Sequence, residues 1–363
     1  MSNTSLLGSF GGQAGESLMF RNKILNGCMR IDQRNSGTSS QAANAYTVDR
    51  WAALNSTAPS FTIQQNAGSI TPPVGYSNYL GCTVTNVVTP TAAQRWSIQQ
   101  AVEGFNVADL AWGTANAQSI TVSFWARSSL TGTFGGVIRN SAGNRSYPFT
   151  YSVSAANTWE YKTVIIPGDT TGTWLTNNGI GLALVFSLGA GSSLVGAAGS
   201  WAGSDLWSAT GSVNVVSTNG ATLYITGVQL EAGPTATPFE RRPIGQELQL
   251  CQRYYEKSYN IDVVPGTASS NFGKFYHLAS SDSAGSAGPY IQFKVTKRST
   301  PLFTAYTDLG LAGSWRYLRS GAGADAVVNT TFIGQTGGLA FVNCGASWVP
   351  VSVHGHWTAS AEL

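Results

Sequence analysis

The 363-residue sequence is long enough for two or three modules with separate cores, yet only 10% of it is charged, against about 25% in an ordinary soluble domain. Its 42 glycines and 11% aromatic content fit a β-rich extracellular or virion protein better than a cytosolic enzyme. A net charge of +3, with only Arg241-Arg242 and Lys297-Arg298 as basic pairs, offers no footprint for nucleic acid. Cys28, Cys82, Cys251 and Cys344 are too scattered for a disulfide scaffold or a metal knuckle, and read as free, mostly buried thiols.

Residues 1–21 are mostly glycine, serine and small polar residues, and such a peptide cannot build a core. An arm that orders by lying on another protein is expected, with Leu6, Leu7 and Phe10 as its anchors. The stretch has no basic head and no long apolar run, so neither a secretory signal nor a membrane anchor is read in it. No later segment reaches the roughly 18 uninterrupted apolar residues of a spanning helix.

Residues 22–243 carry strand-length alternation at Leu80, Cys82 and Val84, at Ile120, Val122, Phe124 and Ala126, and at Leu182, Leu184, Phe186 and Leu188. Period two with one apolar face means half-buried antiparallel strands. Turn signals such as Gly135-Gly136, Pro167-Gly168-Asp169 and Asn177-Asn178-Gly179 separate them, which predicts a sandwich or jelly roll. Trp51 and Trp159 are assigned to structure. Trp125 and Arg127 fall on the face opposite the Val122-Phe124 stripe. In the glycine-rich loop from Ala190 to Gly211, Trp201 and Trp207 read as closing one end of the sandwich, with a binding surface as the alternative.

From Leu223 to Lys257 the sequence predicts a strand, a proline-punctuated crossing and a junction helix over residues 244–258. Pro243 sets its start, Glu247 lies in the first turn, and Arg253 and Lys257 lie in the last, the charge order the helix dipole favours. Leu248, Cys251 and Tyr255 make one apolar stripe, and Leu250 and Tyr254 a second. A helix apolar on two sides needs cover on both, and a contact between identical chains, most simply a homotrimer, is expected to supply it.

Residues 259–363 again alternate, at Ile291, Phe293 and Val295 and at Val349, Val351 and Val353, and predict a small second β-sandwich. His354 and His356 are expected to be polar positions on a half-exposed last strand. Trp315, Tyr317 and Arg319 share one face of a short strand. Aromatic rings beside an arginine suit a glycan, whose CH faces stack on rings and whose hydroxyls take hydrogen bonds. Half of a core face or a trimer contact would give the same pattern. Trp125 with Arg127 is the second glycan candidate.

The words ITGVQLE and TPFERRPIGQELQLCQRYYEKSY are similar to a segment that recurs in tail-fibre and receptor-binding proteins of tailed bacteriophages. NKILNGCMRIDQRNSG, YTVDRWAAL, SITVSFWARSS, AGNRSY, NTWEYKTVIIPGDTTGTW and GLALVFSLG resemble the carbohydrate-binding-like jelly-roll domain of such proteins, in the same order. The resemblance covers roughly residues 22–258; the terminal HGHWTASAEL adds a weaker likeness. It implies a virion protein made in the host cytoplasm with a bacterial surface glycan as receptor; residues 1–21, read as an arm docked on a tail or baseplate protein, put the last module outermost.

Catalytic signatures are missing. No Gly-x-Ser-x-Gly elbow occurs, Phe275 follows Gly273-Lys274 where a phosphate loop needs a hydroxyl, and three histidines give no metal-ligand spacing. No cofactor, metal, nucleic acid or membrane insertion is expected. A glycan depolymerase remains the alternative, since it needs only two carboxylates, from among Asp262, Asp282, Asp308 and Asp325. A purely structural tail connector is the other.

Overall fold

The computed structural model describes residues 20–41, 44–268, 273–280, 285–319, 321–345 and 350–363. Leu6, Leu7, Phe10, Asp282 and Val349 lie outside the described residues. The architecture is all-β with one short α-helix among the described residues, and no described helix is long and apolar enough to cross a membrane.

The first module opens with β1 (Ser40–Gln41), β2 (Ala45–Tyr46), β3 (Ala52–Asn55), β4 (Phe61–Gln65), β5 (Leu80–Val84), β6 (Arg95–Glu103) and β7 (Ile120–Ser128). It continues with β8 (Gly132–Arg139), β9 (Ser146–Val153), β10 (Glu160–Ile166), β11 (Ile180–Ala190), β12 (Val195–Gly196), β13 (Ser208–Ala209) and β14 (Thr222–Ala232). Two six-stranded sheets face each other, in the orders β1-β4-β5-β14-β7-β10 and β2-β3-β6-β11-β8-β9. Every pairing within them is antiparallel, and the chain passes repeatedly from one sheet to the other, a jelly-roll-like layout. The alternating residues of β5, β7 and β11 all point inward, none more than 3% exposed. At the centre Phe124 meets Tyr151 and Phe186 edge-on at 5.0 and 4.9 Å, each pair adding about 0.5–1.5 kcal/mol beyond the area it buries. Trp51 is fully buried there. Trp201 closes one end, as expected, against Trp112, Trp174 and Tyr147, with its indole N–H donating to the Pro167 carbonyl at 2.9 Å.

The junction departs from expectation. Helix α1 spans Ile244–Gln252, and Tyr255–Lys257 is already a strand, β15, paired with Thr358–Ser360. Tyr254, Tyr255 and Lys257 are therefore not helical; the backbone hydrogen bonds of a sheet outweigh a further helical turn. Cys251, Tyr254 and Tyr255 are buried within a single chain, at 0, 1 and 7% exposure, so they are not the oligomer interface the sequence suggested. The covers are the two modules themselves. Tyr254 donates its hydroxyl to Glu103 of β6 at 2.6 Å and lies under the Arg50 guanidinium, 3.6 Å from its ring centre. Tyr255 carries Arg34 at 3.7 Å. Leu248 and Leu250 are half-buried, and Leu250 borders a groove with Phe20, Leu25 and Phe105. Two apolar stripes thus call for no second copy of the chain.

The second module contains β15, β16 (Phe275–Ser280), β17 (Ser286–Ala287), β18 (Tyr290–Gln292), β19 (Leu302–Tyr306), β20 (Ser314–Arg319), β21 (Ala322–Thr331), β22 (Gly337–Asn343) and β23 (Pro350–Ser360). A sandwich of two sheets was expected; these strands instead make one nine-stranded sheet that curls on itself around β23. Residues 350–355 of β23 run beside β16 and β20, and residues 356–360 run between β15 and β19. Gly355 marks the change of partners, and a Cβ there would stand 2.5 Å from the Trp315 ring and 2.6 Å from the Tyr306 carbonyl. His354 and His356 are 6 and 0% exposed, not half-exposed, because β23 is central rather than an edge.

The modules are tied by buried polar contacts. Arg50 pairs with Glu362, Arg34 with Glu362 at 2.9 Å, and Arg253 with Glu103 at 2.6 Å. Asn178 and Arg298 exchange side-chain and backbone hydrogen bonds. Within the second module Lys297 and Glu256 form an ion pair with both side chains fully buried.

Candidate surface for ligand binding

On the outer face of the first sheet, four aromatic side chains from four segments form a strip. Trp125 of β7 and Tyr161 of β10 stand opposite each other in register, with ring centres 5.5 Å apart. Tyr76, from the loop before β5, lies beside both, and Phe239 meets it edge-on at 5.6 Å. The Arg241 guanidinium lies 4.8 Å from the Tyr76 ring centre and 5.8 Å from that of Phe239. Tyr161 is 47% exposed, and Trp125, Tyr76 and Phe239 are half-buried. Ile165, 53% exposed, extends the apolar surface along β10.

Buried polar contacts hold the loops that carry the strip. Gln229 and Glu231 of β14 point to the same outer face and are 0 and 1% exposed. Glu231 accepts the Thr237 backbone N–H at 2.9 Å, and Gln229 accepts that of Glu240 at 2.8 Å, so residues 237–240 are stapled across the strand. Glu240 in turn accepts the backbone N–H groups of Phe20 and Asn22 at 3.0 and 2.6 Å, and Arg242 donates to the Asn22 and Ile24 carbonyls. The polar residues of ITGVQLE and TPFERR are thus mostly a buried clasp between Asn22 and β14. Thr226 fixes the other loop, donating to the Asn78 carbonyl at 2.7 Å. Between them Gly227 breaks the β14–β7 register at φ +60°, and a Cβ there would sit 2.7 Å from the Tyr76 ring.

Burial raises the Tyr76 phenol above its usual range, with the neighbouring Tyr161 adding to the shift and Arg241 and the Trp125 indole opposing it. The strip is uncharged at neutral pH apart from Arg241. Flat apolar rings at 5–6 Å spacing, edged by a cation, can stack apolar ring faces and hydrogen-bond to hydroxyls; they offer no nucleophile or proton-transfer pair.

Of the two candidate groups, the structure keeps part of one. Trp125 is in the strip, whereas Arg127 turns away, donating to the Asn157 carbonyl at 3.0 Å with its guanidinium 5.5 Å from the Tyr224 ring. Trp315, Tyr317 and Arg319 do not form a ligand surface. Their face is the inner one: Tyr317 stands opposite Val353 and Arg319 opposite Val351, both core residues. Trp315 is 0% exposed and donates to the His356 carbonyl at 2.8 Å, while Arg319 caps the Cys344 carbonyl at 2.7 Å. Trp159 is structural, packed edge-on against Tyr79 and bonded to the Thr71 carbonyl at 2.9 Å.

Among the carboxylates considered for hydrolysis, Asp325 pairs with Arg316 at 3.1 Å and Asp308 lies 3.6 Å from His354. Among the described residues no group of three His, Cys, Asp or Glu side chains could hold a metal ion. Sequence reasoning missed Tyr76, Tyr161, Phe239 and Arg241. Tyr161 alone had a signal, since NTWEYKTV places it at alternate spacing from Trp159.

No protein-family model matches the chain, and no curated protein matches it significantly. Among solved structures it is similar to the enzymatically active domain of tailspike protein 4 of bacteriophage CBA120, with 12% identity and a TM-score of 0.30. That alignment covers 56% of this chain and 22% of the tailspike chain, so this chain spans only about a fifth of it. It is also similar to a carbohydrate-binding module in complex with β-1,4-galactotriose, with 10% identity, a TM-score of 0.30, and 59 and 99% of the two chains covered. A family 11 carbohydrate-binding module from Clostridium thermocellum aligns with 9% identity and a TM-score of 0.27, over 55 and 98% of the two chains.

Proposed function

We propose that the chain is a non-enzymatic attachment protein of the phage tail-fibre type, binding a bacterial surface glycan at the Phe239–Tyr76–Trp125–Tyr161 strip. The observation that carries this reading is the presence of four partly exposed rings in one row, two on β7 and β10 and two on loops held by buried Gln229, Glu231 and Thr226. A contiguous row of partly exposed rings is the kind of apolar surface patch that marks an interaction site. The sequence resemblance to receptor-binding proteins supports the same reading, as does the low charge of the chain. Virion location and docking through residues 1–21 rest on that resemblance.

Of the two glycan candidates in the sequence, one in each module, this reading keeps Trp125 of the first and drops the Trp315 group of the last. A screen of the full chain against bacterial surface polysaccharides, followed by Trp125→Ala and Tyr161→Ala, tests it. Each variant is expected to weaken binding at least about tenfold, which corresponds to about 1.4 kcal/mol, while leaving the unfolding midpoint nearly unchanged for the exposed Tyr161. Parent-like affinity in both variants would remove the strip as the site. Release of reducing ends during the incubation would instead support a depolymerase.

A further inference from the structure

We propose that the outer face of the second sheet holds a separate subsite for an oxyanion-bearing sugar, such as a uronate or a sugar phosphate, built from Arg95, Arg139 and Trp207. The inference rests on the glycan reading above but uses a different sheet and different residues.

Trp207 does not close the end of the sandwich with Trp201. It is carried on the short parallel pair β12–β13, with its backbone N–H donating to the Leu194 carbonyl at 2.7 Å, and its indole lies on Val137, Val185 and Ala190. Two guanidinium groups converge on that one indole, Arg95 at 3.9 Å and Arg139 at 4.1 Å from the ring centre. A ring face attracts a cation by roughly 0.5–2 kcal/mol, which holds both groups in place but does not neutralise them.

Charge is out of balance there. Arg139 pairs with Asp205, which is 45% exposed on its side chain, and Arg95 has no carboxylate partner among the described residues. Burial lowers the Arg139 pKa, and Arg95 lowers it further against the opposing pull of Asp205. Hydrogen-bonding capacity is also unused. Among the described residues Arg95 Nε, Arg139 Nε and the Trp207 indole N–H have no acceptor, and Ser97 Oγ and Gln99 Oε1, on the same outer face of β6, have no partner. Trp207 is 3% exposed, so its unmatched donor lies inside the protein surface rather than in bulk water. An unpaired buried donor costs about 1–3 kcal/mol, and a planar guanidinium fork matches a carboxylate or phosphate. A negative group at the half-buried Arg95 guanidinium, stacked over the Trp207 ring, would supply the missing charge.

The test is calorimetric titration of the full chain with trigalacturonate, with glucose 6-phosphate as the phosphate arm and galactotriose as the neutral counterpart, at low and moderate salt. At least one anionic probe is expected to bind, more weakly as salt rises. Arg95→Gln should weaken it at least about tenfold, and Arg95→Lys, which keeps the charge but loses the fork, by an intermediate factor. Failure of both anionic probes to bind, or binding that Arg95→Gln leaves unchanged, overturns the subsite. Neutral-glycan binding sensitive to Tyr161→Ala, with neither anionic probe bound, would leave the aromatic strip standing while this proposal falls.

Discussion

Replacing Lys297 by methionine should cut the stability of the second module sharply. Its ammonium group is fully buried and donates to Glu256, to the Gln252 carbonyl at the end of α1 at 2.6 Å, and to the Val295 carbonyl at 3.0 Å. Among the described residues Glu256 otherwise accepts the Lys294 backbone N–H, at 3.0 and 3.2 Å to its two oxygens. Methionine fills the same volume without a cavity, so the loss is electrostatic. It leaves a carboxylate in a site from which water is excluded, and breaking such a pair costs about 3–5 kcal/mol. Adding Glu256→Gln to Lys297→Met should restore most of that, because a buried ion pair replaced on both sides is often near neutral. Urea unfolding of the full chain, followed by near-ultraviolet circular dichroism, reads both variants. A single variant within about 1 kcal/mol of the parent, or a double variant no better than the single, would refute the assignment of this pair as a buried keystone of the junction.

Two further outcomes follow from the joint and the strip. Burial raises the Asp49 carboxyl to about 6 from its ordinary 3.8, with Arg34 and Gln33 opposing the shift. The folded chain therefore holds that proton more tightly than the unfolded one, and this contribution is complete below pH 3.8 and is lost as pH rises to about 6. The stability difference between the parent and Asp49→Asn should change across that window and level off above it; thermal midpoints that differ equally at pH 4 and pH 7 would contradict this. Gly227→Ala puts a Cβ into both a left-handed backbone and the Tyr76 ring. A loss of about 1–3 kcal/mol in urea unfolding, with weaker glycan binding as Tyr76 is displaced, is expected. A variant as stable as the parent with intact binding would show that the loop is not seated there.

Period-two alternation made the first module legible, because its strands bury one face each and Leu80, Ile120 and Leu182 could point only inward. The same signal misled at Trp315, Tyr317 and Arg319. Alternation says which side chains share a face but not which face meets the core, and the partners that decide it, Val351 and Val353 on β23, lie more than 30 residues further on. The helix posed a similar problem: its sequence showed that two sides need cover but not who supplies it. Arg50 and Glu103 occur far upstream and carry no mark of their contact with Tyr254. The strip was mostly hidden because its four rings come from β7, β10 and two loops, brought together by strand pairing and by the contacts of Thr226, Gln229 and Glu231. Trp125 was visible alone because its own strand placed it outward.

The position of β23 sets the order in which this chain can acquire its shape. Four strands of the second module wait for residues 350–360, among them Tyr255–Lys257, whose partners lie about a hundred positions later. While the ribosome is still working, the first jelly roll can finish, but β15, β16, β19 and β20 emerge with open edges and no centre. Closure of so distant a ladder is slow, and nascent chains lacking it are sticky. Truncation between β15 and β23 should therefore yield a first module trailing an aggregation-prone remainder, and chaperone demand should peak in the last moments of synthesis.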